Sequence, residues 1–149
     1  MRKMQEQYLR LMETNAGSHL LKREGKWLII GTCVILEHPQ IIKEIAEKYD
    51  TLLHVCPESF HMNMIETKLA AMVKIRNPKE IGIITVDGSP HCVQLHYIAE
   101  DLLKYFKEDF EVKHFVISSK KVYHISSESV KTSRHLRKVE RYKQRCENK

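Results

Sequence analysis

No run of apolar residues in this sequence approaches the roughly 20 that a membrane-spanning helix needs. The longest is Trp27 to Thr32 with its continuation to Leu36. The opening residues, MRKMQEQYLR, are basic but lack the apolar core of a secretory signal. A cytosolic protein without a membrane partner is the expectation. Glycine-rich phosphate loops are missing as well. No G-x-G-x-x-G follows the first apolar run and no G-x-x-x-x-G-K-[ST] occurs, so nucleotide phosphates have no local cradle. The G-x-S-x-G elbow of serine hydrolases is absent. So is C-x-x-C, which argues against a thioredoxin-type site. Internal repeats, low-complexity tracts and long linkers are also missing. Four cysteines in a cytosolic chain read as thiols or ligands rather than as a disulfide framework.

What is present is enough for one globular domain. The chain has 149 residues, 42% of them apolar and 30% charged, a balance that supports a buried core and argues against disorder. The net charge of +6 is unevenly spread. From Val130 onward the chain carries Lys131, Arg134, Arg137, Lys138, Arg141, Lys143, Arg145 and Lys149 against only Glu140 and Glu147, so the body is close to neutral. Such a tail suits nucleic acid or an acidic partner. A solvated helix face is the plainer reading.

Apolar periodicity divides the chain into a helical arm (1–26), an α/β core (27–126) and a basic C-terminal helix (127–149). In the arm, Tyr8, Leu9, Leu11 and Met12 suggest a short amphipathic helix stopped near Gly17, packed on the body or on a second subunit of a homo-oligomer. Trp27 to Leu36 is continuously apolar and β-branched, the pattern of a strand buried on both faces. A helix opens at Pro39, a strand follows over Thr51–Cys56, and a longer helix carries Met62, Ile65, Leu69, Met72 and Val73 up to Asn77. Ile81–Val86 reads as a third strand, with a helix capped by Ser89 and led by Pro90. Phe110–Ser118 is a fourth, and Val122–Ile125 adds an antiparallel edge. Strand–helix alternation predicts an α/β fold: a small three-layer domain with about four mainly parallel strands in the order 2-1-3-4. Ligands of open parallel sheets sit outside the carboxyl ends of the strands.

Three cysteines fall at those ends. Cys33 closes the first strand, Cys56 the second, and Cys92 lies just past the third. His61, His91 and His96 leave the same edge, with His38 and Met62 farther out. Thiolates suit zinc or an iron–sulfur cluster, and histidine completes the shell. The expected ligands are Cys33, Cys56 and Cys92 with His96, or else His91, as the fourth. The expected function is a metal- or iron–sulfur-binding protein with a redox or electron-transfer role and a redox partner protein. The competing structural reading is that these are core residues, because cysteine is among the most buried residue types. His54 and His114, both inside strands, read as structural or surface histidines. Cys146, in the basic tail, has no place in the set.

A second function fits the same edge: a thiol enzyme with Cys92 as nucleophile, His91 or His96 as base, and Asp87 in the preceding loop. The phosphatase loop H-C-x5-R is excluded, because Ile98 occupies the arginine position. Glu37, Glu58 and Asp87 are loop carboxylates of the kind usually left solvated. The third function is a nucleic-acid-binding module acting through the basic tail. Only Tyr142 interleaves with its cations, and no stacking platform is visible.

Overall fold

The computed structural model describes residues 8–148. Its centre is a six-stranded sheet in the order β1-β3-β2-β4-β5-β6, formed by β1 (Tyr8–Arg10), β2 (Lys26–Gly31), β3 (Thr51–Val55), β4 (Glu80–Val86), β5 (Glu111–Ser118) and β6 (Lys121–Ile125). The first five are parallel and β6 runs antiparallel to β5. The helices are α1 (Thr32–Glu37), α2 (Pro39–Ala46), α3 (Met62–Arg76), α4 (Val93–Tyr105), α5 (Ser127–Ser133) and α6 (Leu136–Glu147). No helix among the described residues is long and apolar enough to cross a membrane.

Strand alternation explains the three layers. Successive side chains of a strand point to opposite faces. Trp27, Ile29, Leu53, Ile81 and Ile83 therefore meet α3 and α4 through Ile65, Leu69, Leu95 and Ile98. Leu28, Ile30, Leu52 and Ile84 meet Val34 and Ile42 of α1 and α2 on the other face. Each fully buried Leu or Ile contributes about 1.5–3 kcal/mol relative to exposure. Tyr49 leans on the bare backbone of Gly82, where a β-carbon would collide with the phenol ring.

Five expectations change. The sheet has six strands, not about four. One of the additions is β1, for Tyr8–Arg10 do not form a helix: they pair in parallel with Leu52–His54, and Leu11–Glu13 follow as a single 3-10 turn. Residues 1–7 of the expected arm helix lie outside the described residues. The long apolar run breaks at Gly31. Residues after it form a short helix that buries only Val34, and a short apolar run does not by periodicity alone distinguish a strand from a helix.

The helix expected at Ser89 begins at Val93. Ser89 does cap, its hydroxyl accepting the Cys92 N–H at 3.3 Å, but the first turn is tightened by the bonds Gln94 N–H to His91 C=O and Leu95 N–H to Cys92 C=O. The C-terminal helix is also not continuous. Ser126 caps it as expected, accepting from the Ser129 N–H. The chain then breaks at Arg134–His135, after Ser133 donates its hydroxyl back to the Val130 carbonyl. Lys149 lies outside the described residues.

Candidate functional site at the carboxyl edge of the sheet

β2 sits between β3 and β4, so the chain winds outward to one side of it and then to the other. The order reverses between β2 and β4, and the crevice there is bordered by Gly31-Thr32-Cys33 and by Asp87-Gly88-Ser89. Gly88 takes a φ of +88°, which a side chain would strain, and so lets the loop turn away from β4. Cys92 is buried beside this reversal, its Sγ 3.4 Å from where a β-carbon on Gly31 would stand, an ordinary packing distance.

Cys33 is exposed in the first turn of α1 rather than at a strand end. Cys56 directly follows β3 and is half-buried, and Cys92 is 6% exposed. The thiols share one electrostatic neighbourhood. Burial raises the Cys33 pKa most, and Cys92, Glu37, Cys56 and Glu58 add to it in that order. Cys56 is the exception. Burial works against its thiolate, yet the Ser59 hydroxyl and the N–H groups of Ser59 and Glu58 outweigh it and hold the pKa below the ordinary thiol value. The Ser59 and Phe60 N–H groups both donate to the Cys56 carbonyl, which fixes the turn after β3.

Cys56 also faces a cleft of about 170 Å³, lined by Arg10, Thr32, His54, Ser59 and Phe60 among others. Here β1 contributes a wall that the sequence reading did not supply. His54 Nδ1 is 3.1 Å from the Thr32 hydroxyl. Burial and the Arg10 guanidinium push the His54 pKa down, against a smaller pull from Glu13, so this imidazole is neutral near neutral pH.

The remaining expected site residues are elsewhere. His91 and Asp87 are exposed, and among the described residues no hydrogen bond joins either side chain to Cys92. His61 caps α3 by accepting the Asn63 N–H. Cys146 is exposed on α6. Among the described residues, no three His, Cys, Asp or Glu side chains stand together in a metal-holding arrangement.

His96 belongs to a buried polar network. It is 3% exposed beneath α4, with Nε2 2.7 Å from the Thr85 hydroxyl and Nδ1 2.9 Å from Nδ1 of His114. His114 Nε2 in turn lies 3.4 Å from Oε1 of Glu100, not aligned as a hydrogen bond. All four side chains are almost fully buried. Only one proton fits between the two Nδ1 atoms. One ring therefore donates from Nδ1 and the other accepts, and the role of the Thr85 hydroxyl toward His96 Nε2 follows from that choice. Burial, helped by His114, drops the His96 pKa to about 3. Burial also lowers His114, although Glu100 pulls it upward.

This chain of polar groups was not legible as a unit. His96 and Glu100 do stand four apart on one helix, a spacing that puts both on the same face, but their partners come from two different strands.

The sheet topology and helix placement agree with comparison to known families. A model described as a Rossmann-like domain matches residues 19–149, from before β2 through α6. The chain belongs to the Rossmann-like domain family. Comparison with curated proteins and comparison with solved structures each gave no match. In Rossmann-like sheets the crevice at the reversal of strand order is where ligands bind. In this member the crevice lacks the glycine fingerprint for a dinucleotide and is bordered by thiols.

Proposed function

We propose that the carboxyl edge of β2, β3 and β4 is a thiolate centre with a redox or electron-transfer role. Cys56 is its leading thiolate and Cys33 and Cys92 are its neighbours, together holding a thiophilic group, zinc or an iron–sulfur cluster. The observation that carries the reading is the position of Cys56, directly after β3 and facing a cleft, with its pKa lowered by the Ser59 hydroxyl and neighbouring N–H groups, while Cys33 in turn feels both Cys92 and Cys56. A thiolate is the form that ligates metal. Cys33, exposed on a six-residue helix, is the side chain with room to rotate toward the others on binding. His96 is not part of this set, since both of its ring nitrogens are engaged with Thr85 and His114.

The test is purification without oxygen, followed by visible absorption and analysis for iron, zinc and acid-labile sulfide, on the wild type and on Cys56→Ser. Iron with sulfide, or zinc, in the wild type and its loss in the variant supports the reading. A colourless wild type without iron or zinc refutes it.

One observation favours a second reading, a thiol-dependent enzyme. Cys56 opens onto a cleft beside a neutral histidine, whereas Cys92 is nearly sealed. The nucleophile of such an enzyme is then Cys56 rather than Cys92. Fast, stoichiometric alkylation of Cys56 in metal-free protein supports this reading, and faster modification of Cys33 contradicts it.

A further inference from the structure

Helix α6 is unusual in burying none of its residues. With 3.6 residues per turn, Arg137, Lys138, Arg141 and Arg145 fall within an arc of about 100° and span about 12 Å along the axis. Leu136, Val139, Tyr142 and Cys146 occupy the opposite side. Val139 and Tyr142 turn toward α5, where they border a gap of about 330 Å³ with Ser126, Ser129 and Thr132. The cationic stripe therefore faces away from the domain.

None of those four cations is in an ion pair among the described residues. The two carboxylates of the helix are engaged elsewhere: Glu147 pairs with Lys143 at 3.6 Å, and Glu140 accepts a bond from Gln144. Arg137–Arg141 and Arg141–Arg145 are like-charge pairs four residues apart, an arrangement that destabilises a helix. A linear anion lying along the stripe removes that repulsion.

We propose that α6 binds the phosphate backbone of a nucleic-acid duplex. The ligand is a linear polyanion because the cations form a row rather than a pocket. Three of the four are arginines, whose planar forks match phosphate oxygens. A single strand is disfavoured as the ligand, because the helix carries one aromatic ring, Tyr142, which borders the gap against α5 and not the cationic stripe, too little for a row of stacked bases. A membrane surface is disfavoured because Val139 and Tyr142 face the domain and not the side that carries the charge. The mode is sequence-independent, since contact is with phosphate and not with base edges.

The test uses the full chain, a labelled mixed-sequence DNA duplex and fluorescence anisotropy over a salt series. Four phosphate contacts give a slope of about −3.6 in log K against log salt, or roughly 150-fold weaker binding at 200 mM than at 50 mM. The variant R137Q/K138Q/R141Q/R145Q keeps good helix formers, so its circular dichroism should match the wild type. Loss of duplex binding in that variant is the expected result. Three results overturn the proposal: wild-type affinity and slope in the variant, displacement of the duplex by polyglutamate as readily as by unlabelled duplex at equal charge, or tighter binding to vesicles of anionic lipid than to duplex.

Discussion

Replacing His96 by Leu separates a ligand from a structural histidine. The substitution keeps side-chain bulk but strands the Thr85 hydroxyl and the Nδ1 of His114, both buried beside it. Each stranded buried group costs about 1–3 kcal/mol. The apolar side chain returns about 1–2 kcal/mol of burial, so the net loss falls within about 0–5 kcal/mol and centres on ~2.5 kcal/mol. For a chain of this size, the central value is a fall in Tm of roughly 5–10 °C. Urea unfolding at fixed pH measures it directly. A second signature is pH dependence. The His96 pKa falls from 6.5 unfolded to about 3 folded. Between those values the unfolded chain binds a proton that the folded chain refuses, so stability is complete above pH 6.5 and is lost as the pH falls. The slope from this group is about 1.4 kcal/mol per pH unit. His96→Leu should remove that slope relative to wild type while leaving metal content and Cys56 reactivity unchanged. An unaltered stability together with lost metal would refute the placement of His96 and restore it as a ligand.

The other predictions concern single groups. Cys56 should be alkylated faster than Cys33 at neutral pH in metal-free protein, because hydrogen bonds lower one thiol while burial and neighbouring anions raise the other. Ser59→Ala should slow Cys56 several-fold by removing one charge-assisted donor, as followed by mass spectrometry; an unchanged rate would show that the hydroxyl does not reach the thiolate. Glu66→Gln should raise Tm at alkaline pH. Burial and then Asp101 lift the Glu66 pKa from 4.5 to about 7, so the wild-type fold loses stability as pH rises through that interval, and the gain should vanish below it. Gly82→Ala should cost about 1–3 kcal/mol in urea unfolding, since the new methyl displaces the Tyr49 ring from the sheet.

Parts of this fold were legible because they rest on hydrophobic runs. The parallel strands at Trp27, Thr51 and Ile81 and the helix from Met62 to Asn77 follow from apolar spacing and end signals, and the four central strands lie in the order the alternation implies. The N-terminal strand was not legible. Tyr-Leu-Arg is too short to show a period, and only pairing with β3 makes it a strand. The shift of Cys33 onto α1 has the same origin: nothing within Trp27–Leu36 marks where the extended chain becomes helical except one glycine. The helix break before α6, at Arg134–His135, carries no glycine or proline to mark it in the sequence.

The candidate site divides along the same line. Thiols can be placed at strand ends from order and periodicity alone, so their gathering at one edge follows from topology. Which thiol is activated does not. Cys92 looked strongest in the sequence because it neighbours histidines and a helix start, yet it is buried beside Gly31. Cys56 gains its donors from a turn four residues long and its cleft from β1, a strand contributed from more than forty residues away. Of the two histidines that seemed to serve Cys92, His91 is exposed, and His96 joins His114 in a buried polar seam between α4 and the sheet, where leaving any one group unpaired is costly. Charge and burial thus assign different roles to residues one helical turn apart: His96 ties the helix that follows Cys92 to the sheet, and the leading thiol of the proposed centre lies two strands away.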